Sequence, residues 1–183
     1  MSFPFDSQKL TLYSSKICPF AQRVFWALDE AGISYHLEEI DLKDKPTWYP
    51  LVNPAGKVPA LRLPEGEILV ESYLITEYIA DKYPESNLLP SDPLEKFKVR
   101  LFIDFFSNNV LRTPYQLLGT PDSEVPQKVA EIEKALTAFN DFLVKHSPEG
   151  PYFLGDRFSL AEINTMTFIE RLDMAAKMSN SLI

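Results

Sequence analysis

From Lys9 to Pro84 this chain of 183 residues alternates strand-like and helix-like hydrophobic periods, and from Asp92 onward every period is helical. That switch constrains the fold more than any other feature. A period of two and a period of 3.6 bury different faces and cannot share one element. Lys9-Leu10-Thr11-Leu12-Tyr13 alternates as a half-buried strand does. Pro19 takes a first helical position, where a missing N–H is harmless. Phe20, Val24, Ala27 and Ala31 follow at helical spacing, up to a left-handed cap at Gly32. A second strand is expected over 35–41 and a short helix over 46–51. A hairpin follows from Ala60-Leu61-Arg62-Leu63 through Pro64-Glu65-Gly66 to Ile68-Leu69-Val70. Ser72 then opens a helix carrying Leu74, Ile75, Tyr78 and Ile79, ended by Pro84. The order is βαβ and then ββα, with a linker over 85–91.

The second half is helical throughout. Asp92 is placed to cap a helix beginning at Pro93, with Leu94, Phe97, Leu101 and Phe105 down one side. Val125, Val129, Ile132, Leu136, Phe139 and Leu143 step by three or four and read as core packing, not as a cofactor site. Ser159 and Glu162 have capping-box spacing, with Phe158 and Ile163 as the hydrophobic staple around it. The expected organisation is an α/β domain over 1–86 and an all-helical domain over 92–183.

Composition removes several function classes. Hydrophobic residues make up 45% of the chain, enough for a substantial core. Lys and Arg number 18 against 26 Asp and Glu, a net charge of −8 with no basic run, so no nucleic-acid partner is expected. Cys18 is the single cysteine, and His36 and His146 are the only histidines, which argues against a disulfide framework, a Cys-rich zinc site or any metal. The amino terminus lacks a signal-peptide pattern, and no apolar run approaches the roughly 18 residues a membrane span needs. A cytoplasmic location is expected.

The chemistry-bearing positions are few. Cys18 falls between a strand and a helix, where the helix N–H groups and dipole favour thiolate over thiol. Cys18-Pro19 alone is equally compatible with a small buried hydrophobe. Three residues on stands Ala21, so any disulfide chemistry here must use an external thiol. Val58-Pro59 opens the third strand and fits two descriptions. One is a proline at a strand start; the other is a cis-proline that turns the Val58 backbone toward a peptide-like ligand. Ser72 serves either as a plain N-cap or as part of a carboxylate site at a helix start, with Glu71 beside it for an ammonium group. Lys45 is a solvated lysine or the partner of a second carboxylate. Taken in chain order, these positions describe a site for an extended peptide with a carboxylate at each end, an amine at one end and a thiol in the middle. Glutathione has that layout.

With those residues in place, the sequence resembles the glutathione transferase superfamily. Cys18-Pro19-Phe20-Ala21 is similar to the omega class, as are the 42–48 segment, Asn53-Pro54-Ala55-Gly56-Lys57-Val58-Pro59 and Glu71-Ser72. The resemblance covers about residues 8 to 110 well and loosens toward 172. It implies a thioredoxin-like amino-terminal domain with a mixed four-stranded sheet, then an α-helical glutathione-transferase domain. It also implies that Cys18 forms a mixed disulfide with glutathione, with Phe20 lining the pocket and Lys45 on the glycine carboxylate. Val58, followed by Pro59, would pair with the cysteinyl backbone, and Glu71 and Ser72 would hold the γ-glutamyl end. Arg171 matches a position facing the second-substrate pocket. The family continues through further helices after that point, whereas this sequence stops at Ile183, so a shortened helical domain is expected.

The activity implied is thiol transfer or reduction with glutathione as cosubstrate and a small electrophilic, oxidised or glutathionylated second substrate, in a homodimer. One rival is a non-catalytic ligand-binding member of the superfamily. Another is a chloride-intracellular-channel-like protein, which shares the Cys-Pro-Phe start. Asp29-Glu30 directly after Val24-Phe25-Trp26-Ala27-Leu28 makes membrane insertion costly and argues against it.

Overall fold

A computed structural model of the chain describes residues 2–117, 120–147 and 149–180. They fall into two compact units, Met1–Leu88 and Leu89–Ile183. The first contains β1 (Leu10–Ser14), α1 (Pro19–Glu30), β2 (Tyr35–Glu39), a single 3-10 turn (Tyr49–Leu51), β3 (Ala60–Arg62), β4 (Ile68–Val70) and α2 (Ser72–Lys82). The sheet order is β2-β1-β3-β4. Leu12 of β1 lies opposite Leu37 in the parallel β2 and opposite Leu61 in the antiparallel β3, and Leu61 in turn faces Leu69 of β4. A parallel pair needs a crossover, and α1 supplies it. The element order is the one expected from the pattern, and the sheet is the mixed, thioredoxin-like one that the resemblance implies.

Local signals explain the boundaries. Gly32 has φ +67° and closes α1 with its N–H on the Asp29 carbonyl (2.9 Å), while Ile33 N–H reaches the Leu28 carbonyl (2.9 Å). These are the two bonds of a Schellman cap. The alternation in β1 predicts a half-exposed strand, yet all five of its residues are buried. Its edges are paired with β2 and β3 and other segments pack over it, with Tyr13 among Ala21, Tyr49 and Val52. Thr11 is tolerated there because its Oγ1 accepts the Asp6 N–H at 3.0 Å. β2 stops at Glu39, short of the expected 41, and the short helix is one 3-10 turn at 49–51, not 46–51. On α2 the inner face is Ile75, Thr76, Ile79 and Ala80, whereas Leu74 is 60% exposed.

The second unit holds α3 (Pro93–Asn109), the short α4 (Thr113–Gln116), α5 (Val125–His146) and α6 (Leu160–Asn180). Asp92 Oδ1 accepts the N–H groups of Leu94 (3.0 Å) and Glu95 (2.8 Å), capping α3 as expected. The buried stripe of α3 is different from the expected one: Val99, Phe102, Ile103 and Phe106 face inward, and Leu94 and Phe97 are exposed. Phe102 stacks on Phe153 with centroids 4.4 Å apart and lies 4.9 Å from Phe139 of α5, so the inner face was chosen by aromatic packing. On α5, Ile132 and Phe139 are buried and Val129 is exposed. The capping box of α6 is formed. Glu162 Oε2 accepts the Ser159 N–H (2.9 Å) and hydroxyl (3.0 Å), and Oε1 accepts the Phe153 N–H at 2.7 Å. Among the described residues no helix is long and apolar enough to cross a membrane.

Candidate active site

Cys18 leaves the carboxyl end of β1 and becomes the N-cap of α1, in extended backbone (φ −92°, ψ 116°). Its N–H bonds the Ser15 carbonyl (3.0 Å), and its own carbonyl takes the Gln22 N–H (3.0 Å), the first turn of the helix. Pro19 follows at the first helical position, no side chain caps the helix, and the first turn carries no acid. The positive end of α1 is therefore left to the half-buried thiol. Its sulfur lies 4.0 Å from the Val58 carbonyl oxygen, the outer limit of a thiol hydrogen bond.

The opposing wall is the segment before β3, whose Val58–Pro59 peptide is cis. Two donors converge on the carbonyl just upstream: Tyr49 OH (2.7 Å) and Asn53 Nδ2 (2.8 Å) both bond Lys57 O. Asn53 also closes its own turn through Oδ1 to Ala55 N–H (3.0 Å) and its carbonyl to Gly56 N–H (2.8 Å). Burial, with Tyr13 and Cys18 nearby, pushes the Tyr49 phenol upward, so it remains a neutral donor. Gly56 turns at φ +64°, and the Lys45 ammonium lies 4.0 Å from the point a Cβ there would occupy. Lys45 is thus folded over this turn.

The third wall is the start of α2. The expectation of a Ser72 N-cap needs correction: Glu71 is the N-cap, and Ser72 is the first helical residue. Glu71 has φ +70° and ψ 103°, a conformation that L-residues rarely adopt. Outliers of this kind gather at binding sites. The Ser72 hydroxyl instead accepts a hydrogen bond from Arg23 Nη1 (3.3 Å), and the Arg23 guanidinium sits 5.5 Å from the Phe20 ring centroid.

Cys18, Phe20, Lys45, Val58, Pro59, Glu71 and Ser72 all line one cavity of about 380 Å³, in the size range of small-ligand pockets. Leu42, Asn53, Gly56 and Lys57 complete its lining. Lys57 is legible as part of the 53–59 motif, but the motif alone does not mark its side chain as a lining charge. Arg23 was not legible, since an arginine on a helix reads as solvated surface. Arg171 belongs to the second unit, on α6. Its Nη1 bonds the Thr167 carbonyl (2.9 Å) and Glu170 Oε2 (3.1 Å). Among the described residues no group of three or more His, Cys, Asp or Glu could hold a metal ion.

Residues 12–87 match the family described as glutathione S-transferase, N-terminal domain. The chain is 31% identical to mouse glutathione S-transferase omega-1 over 175 residues, covering 93% of this chain and 70% of that protein. It is 49% identical to the pyrimidodiazepine synthase of Drosophila melanogaster over 100 residues, which are 53% of this chain and 41% of that enzyme. In structure it matches glutathione transferase Omega 2C from Trametes versicolor with a TM-score of 0.79 at 34% identity, covering 93% of this chain and 74% of that one. Identity at this level runs through both the sheet-bearing and the helical unit, and on that ground the chain belongs to the glutathione transferase superfamily, within it to the omega class.

Proposed function

We propose that this protein is a glutathione-dependent thiol transferase in which Cys18 exchanges disulfides with glutathione. The observation that carries the proposal is the single cavity onto which three separate segments bring a helix-start thiol, two lysines and a carboxylate–hydroxyl pair. Lys45 and Lys57 suit the glycine carboxylate, and the Val58 backbone suits the cysteinyl residue. Glu71 suits the α-ammonium, while Ser72 and the first amides of α2 suit the γ-glutamyl α-carboxylate. Phe20 gives the ligand an apolar wall.

In the first step the Cys18 thiolate attacks the glutathione sulfur of a mixed disulfide. A Cys18–glutathione disulfide forms, and the substrate leaves as a thiolate. In the second, a glutathione thiolate attacks that disulfide, releasing oxidised glutathione and restoring the Cys18 thiolate. The second thiol must come from outside, since Cys18 is the single cysteine of the sequence. Glutathione mixed disulfides are the substrate class that these two steps serve; dehydroascorbate and S-aryl or S-acyl glutathione adducts, the other classes proposed from the resemblance, would each need a different first step at Cys18. Conjugation of aromatic electrophiles is expected to be poor, because this thiol bonds glutathione instead of activating it. As the resemblance implies, the working unit is a cytoplasmic homodimer, which analytical ultracentrifugation and cell fractionation would check.

The test is Cys18→Ser, assayed for thiol transfer and by intact mass after exposure to oxidised glutathione. Thiol transfer is expected to fall to the uncatalysed rate, and the one-glutathione adduct of the wild type to vanish. Undiminished transfer would overturn the assignment. Glutathione binding by the wild type with neither adduct nor turnover would make the protein a non-catalytic carrier.

A further inference from the structure

Arg23 touches the site from beneath. It lies on α1, five residues past Cys18, and is only 3% exposed. Its Nη1 donates to Ser72 Oγ at 3.3 Å, and its guanidinium lies against Phe20, 5.5 Å from the ring centroid, within the range of a cation–π contact. One buried side chain thus ties Phe20, one turn back on the thiol-bearing helix itself, to Ser72 at the start of α2.

The direction of the Ser72 bond matters. A guanidinium has only donors, so its N–H must occupy a lone pair of the Ser72 oxygen. The hydroxyl hydrogen is thereby turned away from Arg23. Ser72 is itself 6% exposed and lines the cavity, so that hydrogen is left to point at a ligand there. Without such a partner, a serine in the first turn of a helix tends to spend its hydroxyl on nearby backbone. A hydroxyl that accepts from a cation is also a stronger donor.

We infer that Arg23 is a positioning residue, which commits the Ser72 hydroxyl to donating to a ligand carboxylate and holds the Phe20 ring as the facing wall. The inference rests on the glutathione reading above and deepens it by assigning the recognition of one carboxylate, the γ-glutamyl one, to a buried cation that does not touch it.

The experiment compares wild type, Arg23→Met, Arg23→Lys, Ser72→Ala and the Arg23→Met/Ser72→Ala double variant. Each is measured for unfolding midpoint, for KM and kcat with glutathione, and for KM with the analogue lacking the γ-glutamyl α-carboxylate (4-aminobutyryl-cysteinylglycine). Arg23→Met is expected to raise KM for glutathione roughly tenfold, the scale of one hydrogen bond to a charged group, with kcat nearly unchanged. Arg23→Lys should recover part of that loss. The loss should disappear against the decarboxylated analogue, and adding Arg23→Met to Ser72→Ala should cost nothing further. Equal losses with both ligands, or additive losses in the double variant, would overturn the inference and leave Arg23 a packing residue. So would failure of both the Met and Lys variants to fold. If wild type takes up no glutathione, the parent reading falls as well; if it does and Arg23→Met binds as tightly, only Arg23 loses its role.

Discussion

Replacing Glu71 with glycine should make the protein more stable and its glutathione binding weaker. At φ +70° and ψ 103° Glu71 occupies backbone space that costs a non-glycine residue about 1–3 kcal/mol. Glycine removes that cost but gives up about 0.5–1 kcal/mol of its own, through the larger freedom of the unfolded chain. The expected gain is about 1 kcal/mol, or about 2–4 °C if a chain of this length unfolds in one transition. The lost carboxylate is solvent-exposed, and an ion pair there is worth about 0.2–1 kcal/mol, so affinity should weaken by up to about fivefold. Glu71→Ala is the control: it removes the carboxylate and keeps the backbone strain. Urea unfolding would read the first effect and glutathione titration the second, for all three proteins. If the glycine variant is no more stable than the alanine variant, the strain argument is wrong. If both bind glutathione as tightly as wild type, Glu71 does not hold the ligand.

Two further expectations concern stability. Glu162→Ala strips partners from two backbone N–H groups and a hydroxyl around a side chain only 7% exposed, and should cost about 3–5 kcal/mol; a denaturant midpoint unchanged from wild type would show the box to be idle, and Glu162→Gln should lose less. Burial pushes the Tyr13 phenol from 10.0 up to about 12, with Glu38 adding to the shift and Arg62 opposing it, and Tyr49 is pushed the same way. The folded state then binds more protons than the unfolded chain above pH 10.0, so stability is full below that pH and declines toward about pH 12. Tyr13→Phe should flatten that decline in urea unfolding followed across this range, although it also forfeits the 2.8 Å bond to the Pro4 carbonyl.

What could be read from the sequence was what local chemistry decides. Gly32, Asp92 and the Ser159–Glu162 pair each satisfy backbone groups a few residues away, and their expected roles match the structure. What could not be read depended on partners distant in the chain. The α3 sequence is apolar on two faces, and choosing Phe102 and Phe106 over Phe97 required knowing that Phe139 and Phe153 would meet them. β1 alternates like a half-buried strand, and the residues packed on its Tyr13, among them Tyr49 and Val52, come from far along the chain. At the site, chemically distinctive residues such as Cys18 and Glu71 stood out. Arg23 did not, because its significance lies 49 residues away at Ser72.

The paired bonds on the Lys57 carbonyl separate scaffold from specificity. Tyr49 and Asn53 grip the main chain at this position and not its side chain, so the loop keeps its shape whatever residue stands at 57. The charge lining the cavity there can be changed, lysine to neutral or to acid, without disturbing the frame that presents Val58. That makes 57 an adjustable position, where a lineage or an engineer could retune anion preference by substituting one side chain.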